Sequence, residues 1–212
     1  MRYFLKELLE PISYLLYGFL LFAAYAARKV EMYKLLSLYY VFASAMLFIA
    51  NAENDAHRNS DWNYNFLFLV CILVFSYYYY HICQAIIKRR FIINCCLANT
   101  ATFFYFMIKK NGLFTYNTYA YALAFISIII YSLFYYQQVL QQVSEESILR
   151  KFDFWLVSAN LFYYMGAFIV VLFYDYSDLT IRGELWGAQS IVLFMSCLIA
   201  FRGYIATIKK DT

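Results

Sequence analysis

Seven long apolar runs, each about 18 residues or more and divided by short charged stretches, dominate this chain and leave few folds open to it. The runs fall at about 11–27, 34–52, 64–87, 91–108, 114–138, 154–174 and 185–208. Each is long enough to cross a bilayer as a helix. The separators are "RKVEMYK", "ENDAHRNSDWN", "KRR", "KKNG", "SEESILRKFD" and "DYSDLTIRGE". Of 212 residues, 65% are hydrophobic and 14% charged. A soluble domain averages about a quarter charged, so this chain cannot cover a water-facing surface. The expected fold is an all-α membrane protein, a single seven-transmembrane-helix bundle over residues 1–212. One proline and six glycines leave little material for broken helices.

Basic residues set the expected orientation. Arg28, Lys29, Lys34, Lys88, Arg89, Arg90, Arg150, Lys151, Lys209 and Lys210 flank one side. Arg2, Lys6, Arg58, Lys109, Lys110 and Arg182 flank the other. The acids lean the opposite way, with Glu7, Glu10, Glu53, Asp55, Asp61, Asp175, Asp178 and Glu184 on the second side. The N-terminus is therefore expected outside and the C-terminus in the cytoplasm, in a bacterial inner membrane crossed several times. The segment "YLLYGFLLFAAYAARK" has the look of a signal peptide, but Glu7 and Glu10 spoil a positive n-region, and it reads as the first membrane helix.

The chain holds 24 tyrosines and 22 phenylalanines, which partly reflects interfacial belts. Tyr14, Tyr33, Trp62, Tyr64, Tyr105, Trp155, Tyr174 and Trp186 all fall near expected span ends. The five cysteines lie in apolar runs without a CxxC pair and read as small core residues. No Asp, Glu or Lys sits mid-span, no lysine stands midway along the seventh run, and no HExxH, serine–histidine pair or aspartate pair is present. An enzyme is not expected, nor a cofactor or a metal. The formal charge of +4 is too small and scattered for nucleic acid.

Polar groups inside a span are functional candidates, because lipid burial is costly. Six stand out: His81, Gln84, Asn94, Asn99, Asn160 and Arg202, all in the half expected to be cytoplasmic. Tyr77, His81, Gln84 and Lys88 recur at i, i+4, i+7 and i+11, one polar stripe if the helix is continuous. That stripe is expected to face the bundle toward Asn94, Asn160 and Arg202. Two readings stay open: a polar cavity that binds something, or interhelical hydrogen bonds with a snorkelling arginine. Two loops add candidates. Glu53, Asp55, His57 and Asp61 crowd one outer connection without matching a metal motif. Gln137, Gln141, Glu145 and Glu146 mark the longest connection, either a plain hairpin or a docking surface for a separate partner.

Two stretches carry a resemblance. "WNYNFLFLVCILVFSYYYYHICQAIIKRRFI" (62–92) has an asparagine-rich entry, an aromatic span and a basic exit. "LRKFDFWLVSANLFYYMGAF" (149–168) places Leu149, Phe154, Trp155, Ser158, Asn160, Tyr163, Tyr164 and Gly166 in order. Both resemble spans of a family of small, uncharacterised seven-helix integral membrane proteins of Bacteroidetes. The proline that family usually carries near the outer end of its sixth span is absent. The resemblance implies an inner-membrane location and a sensory or signalling context.

The favoured function is therefore a sensory or regulatory membrane protein that binds a ligand, or senses membrane state, and signals through a separate protein. The alternative is a homo-oligomeric channel or membrane-disrupting effector, for example in anti-phage defence. A small-solute facilitator fits less well, because transport sites favour broken helices and Pro11 is the lone proline.

Overall fold

The computed structural model describes residues 8–56, 59–109, 117–141, 148–149, 151–174, 176–177 and 179–208. These form seven helices: α1 (Leu9–Arg28), α2 (Glu31–Asp55), α3 (Asp61–Ile82), α4 (Ile86–Lys109), α5 (Thr118–Gln141), α6 (Phe152–Tyr174) and α7 (Leu179–Ile208). All seven are long and apolar enough to cross a membrane, so the chain is a multi-pass transmembrane helix bundle.

Helix ends differ from the expected ones where local chemistry decides them. α1 stops because Lys29 takes a left-handed conformation (φ 54°) and its N–H bonds Tyr25 O at 2.7 Å. α3 ends at Ile82, five residues before the expected 87, and Cys83 is extended (φ −81°, ψ 124°). Four side-chain bonds secure this turn between α3 and α4. Gln84 N donates to Gln138 Oε1 (2.7 Å) and Gln138 Nε2 donates to Ile82 O (3.3 Å). Arg89 Nε donates to Cys83 O (2.7 Å) and Lys88 Nζ to Phe134 O (2.9 Å). Backbone groups that leave a helix at membrane depth need such partners. Burial pushes the Cys83 thiol up to about 11, against the pull of Lys88 and Arg89, which makes it a poor nucleophile at neutral pH.

Six helices close a ring in the order α1, α2, α3, α5, α6, α7, and α7 returns to α1. α4 lies outside that ring, packed on α3 and α5, with Ile92, Asn99 and Phe103 as its buried residues. Short connections make successive helices antiparallel. One end of the bundle therefore carries the starts of α1, α3, α5 and α7, and is called the N-terminal end below.

Small residues let backbones approach, as helix pairs in lipid require. A Cβ on Gly18 would meet Val41 Cγ2 at 2.7 Å, and Ser37 Oγ donates to Gly18 O at 2.8 Å. Ser44 Oγ bonds Pro11 O at 2.8 Å on the same α1–α2 seam. On the α6–α7 seam, a Cβ on Gly203 would collide with Cβ and Cγ of Trp155. Those atoms are tied to the α6 backbone and cannot swing away. Gly203→Ala is expected to destabilise the bundle by about 1–3 kcal/mol through overpacking, read as a lower thermal midpoint in detergent. Gly187→Ala, with nothing near its Cβ position inside α7, should raise the midpoint slightly, by about 0.5–1 kcal/mol of stability.

Candidate functional site

A chamber opens at the N-terminal end, inside the six-helix ring. Each ring helix contributes wall. α1 supplies Glu10 and Tyr14 and α2 supplies Tyr39, Ala43 and Leu47. From α3 come Tyr64, Phe68 and Cys71, and from α5 Tyr121 and Phe125. α6 adds Tyr163 and Tyr164, and α7 adds Trp186 and Gln189. The cavity volume is about 60 Å³, room for a group of a few heavy atoms.

Hydrogen bonds and ring contacts hold the walls in place. Tyr14 and Tyr163 share a hydroxyl–hydroxyl bond of 3.0 Å, and Gln189 Nε2 donates to Tyr163 Oη at 3.2 Å. Cys71 Sγ and Tyr164 Oη are 3.2 Å apart. Phe68 lies against Tyr121 with centroids 4.1 Å apart, and Tyr64 against Trp186 at 5.6 Å. Below the chamber the ring is filled. Tyr17 stacks on Tyr40 (4.4 Å, 8°), Tyr40 Oη donates to Asn160 Oδ1 (3.3 Å), and Phe75 sets its edge against Tyr39, Tyr40 and Tyr164.

Glu10 and Gln189 in the wall keep unused hydrogen-bonding capacity. Glu10 is 7% exposed, yet it makes no hydrogen bond or ion pair among the described residues. Gln189 is 5% exposed, and its Oε1 has no hydrogen-bond partner. Buried polar atoms are nearly always satisfied, so the unsatisfied Gln189 Oε1, lining the same cavity as the Glu10 carboxyl, marks a place where a bound group would supply what is missing. Tyr14, Tyr64 and Tyr163 stand within electrostatic range of the Glu10 carboxyl.

Among the described residues, the polar groups expected to line a cytoplasmic-half cavity do not converge on one. Its stripe assumed one continuous helix, and the break at Cys83 puts Lys88 on a different helix from Tyr77 and His81 and leaves Gln84 in the turn. Tyr77 is 49% exposed and packs on the ring of His81, itself exposed, with centroids 4.5 Å apart. Asn94 and Arg202 are exposed too, so these side chains face outward rather than toward the ring. Asn99 and Asn160 are buried but on separate seams. Asn99 Nδ2 donates to Ser127 Oγ at 2.9 Å between α4 and α5, whereas Asn160 joins α6 to α2 through Tyr40. Gln137 and Gln141 are exposed at the end of α5. Glu145, Glu146 and, between α2 and α3, His57 lie outside the described residues. Glu53 of that loop accepts from Trp62 Nε1 (3.1 Å) and Asn63 Nδ2 (2.6 Å), which ties α2 to the start of α3.

Several residues expected at the membrane interface turn inward instead. Tyr14, Tyr64 and Trp186 line the chamber, and Tyr33 is buried at the opposite end. There Tyr33 Oη and Tyr78 Oη both donate to Asp153 Oδ1, each at 3.1 Å. Asp153 had the appearance of loop punctuation, but it is the second residue of α6. Of the four consecutive tyrosines, Tyr78 and Tyr79 are fully buried and Tyr79 bonds Ser132 Oγ at 2.6 Å, while Tyr77 faces out. Tyr80 lies under the Arg89 guanidinium, 5.2 Å from ring to charge. The sequence signal for Glu10 and Asp153 was their place one residue outside an apolar run, with Tyr14 four residues on from Glu10. Comparison of the chain with protein-family models, with curated proteins and with solved structures finds no match.

Proposed function

We propose that this chain is a seven-helix receptor of the bacterial inner membrane, with its N-terminus outside, which takes a small ligand in the Glu10 chamber and signals through a separate protein. The observation that carries this reading is the unpartnered buried carboxyl in a cavity walled by all six ring helices. A ligand seated there touches every helix of the ring, so its binding energy can bias how they pack. Tyr17, Tyr40, Phe75 and Tyr79 fill the ring beneath the chamber, which suits a receptor better than a pore or a carrier. With the N-terminus outside, the chamber opens to the external face, and the basic start of α4 (Lys88, Arg89 and Arg90) and the exposed Gln137 and Gln141 lie on the partner's side.

The alternative of a homo-oligomeric channel draws support from α4, which lies outside the ring and exposes Asn94 on its outer face. The two readings are separated by one pair of measurements on the purified full chain. Reconstituted in planar bilayers, it is expected to show no unitary conductance. In nanodiscs, Trp186 fluorescence is expected to respond saturably to at least one member of a panel of small amines, carboxylic acids, polyols and neutral amides, and filling the cavity with Ala43→Phe should abolish the response. Stepwise conductance, or no saturable response to any member of the panel, would overturn the receptor reading.

A further inference from the structure

The chemistry of the chamber wall narrows what it can hold. Glu10 is the one charged side chain among the described lining residues, and no lysine, arginine or histidine accompanies it. An anion would meet a carboxyl with no counter-charge. A purely apolar group would leave Glu10 and Gln189 Oε1 without partners, which is the costly outcome for buried polar atoms. Ring faces carry negative potential and attract organic cations, with tryptophan the strongest. Trp186 and Tyr64, packed on each other with centroids 5.6 Å apart, line the same cavity as the carboxyl, as does Tyr163.

Resting on the receptor reading above, we propose that the chamber binds a compact ammonium cation, with the Glu10 carboxylate as counter-ion, Gln189 Oε1 as hydrogen-bond acceptor and the rings of Trp186 and Tyr64 as its cage. The cavity of about 60 Å³ limits the enclosed head to a few heavy atoms, as in methylammonium, ethylammonium or the head of ethanolamine. A primary ammonium carries three donors, so one goes to the carboxylate and one to Gln189 Oε1, while the remaining edge lies on the rings. A longer amine would leave its tail in the mouth of the chamber. So small a ligand has few atoms with which to bind, and a dissociation constant in the high-micromolar to millimolar range is expected.

The test uses the full chain in nanodiscs of neutral lipid, with Trp186 fluorescence and thermal midpoint as readouts, at constant ionic strength. Ethylammonium chloride is expected to bind saturably and to raise the midpoint. Ethanol and acetate at equal concentration should do neither, and sodium and potassium chloride should not compete. Glu10→Gln keeps the shape of the side chain and removes its charge. It should weaken ethylammonium binding at least about tenfold while the ligand-free midpoint stays the same or rises. Trp186→Leu, read by the thermal midpoint alone because it removes the reporting indole, should weaken binding about threefold to tenfold. Gln189→Leu reports on the acceptor, with a loss of similar size. Binding of acetate or a polyol in place of ethylammonium would overturn the ammonium assignment and leave the receptor reading standing. Ethylammonium binding that is indifferent to Glu10→Gln would overturn the assignment of the site, and absence of binding by every solute would remove both.

Discussion

Asp153→Ala is expected to cost the bundle about 2–4 kcal/mol, the largest single loss we anticipate for an uncrowded position. Tyr33 and Tyr78 both donate to Asp153 Oδ1, and both hydroxyls are at the ends of side chains less than 4% exposed. Removing the shared acceptor leaves two buried donors at once. Hydrogen bonds between helices in lipid average under 1 kcal/mol, because the unfolded chain also finds partners there. Two features place this node near the top of the range: the acceptor is a carboxylate, and it serves two donors from α2 and α3 at the start of α6. The check is reversible unfolding in mixed micelles. Asp153→Asn, which keeps an acceptor oxygen, should recover about half of the loss. Adding Tyr33→Phe and Tyr78→Phe to Asp153→Ala should recover most of it, since no donor is then stranded. A triple variant no more stable than Asp153→Ala would show that the node is not what holds these three helices.

Glu10→Leu is expected to move stability the other way, by about 1–3 kcal/mol upward. The carboxyl is buried without a partner among the described residues, so the folded state carries a desolvation cost that leucine removes. A site kept ready for a ligand is commonly less stable than it could be, and filling it with apolar atoms trades activity for stability. The same variant should show no fluorescence response to ethylammonium. The two carboxylates thus have opposite signatures: one whose loss unlocks the bundle and one whose loss tightens it. A Glu10→Leu protein that unfolds more easily than the parent would mean that Glu10 binds helices together, and the chamber would lose the group that defines it.

The number of helices and their approximate extents were legible in the sequence, because a bilayer demands about twenty apolar residues per crossing and charged punctuation is hard to mistake. The end of α3 was not, since "YYYYHICQAII" holds no glycine, proline, lysine, arginine or acid to mark it, and the break at Cys83 depends on Gln138, a residue from α5 more than fifty positions away, to satisfy the turn. Nor could the sequence say which way side chains face. In a soluble helix, the polar stripe marks water and the apolar stripe marks the core. In a membrane helix both the core and the lipid are apolar, so Tyr77 and Tyr78 are indistinguishable in the chain although one faces out and the other is fully buried. The same holds for the asparagines and the histidine: their polarity is visible in sequence, but their direction is set by which helices stand beside them. The sequence by itself determined that this is a seven-helix membrane protein with short connections. Only the tertiary structure decided that six helices close a ring with α4 outside it. It also decided that Glu10 and Asp153, which stand at the edges of apolar runs, are drawn into the protein, one against two tyrosines and the other against an empty space.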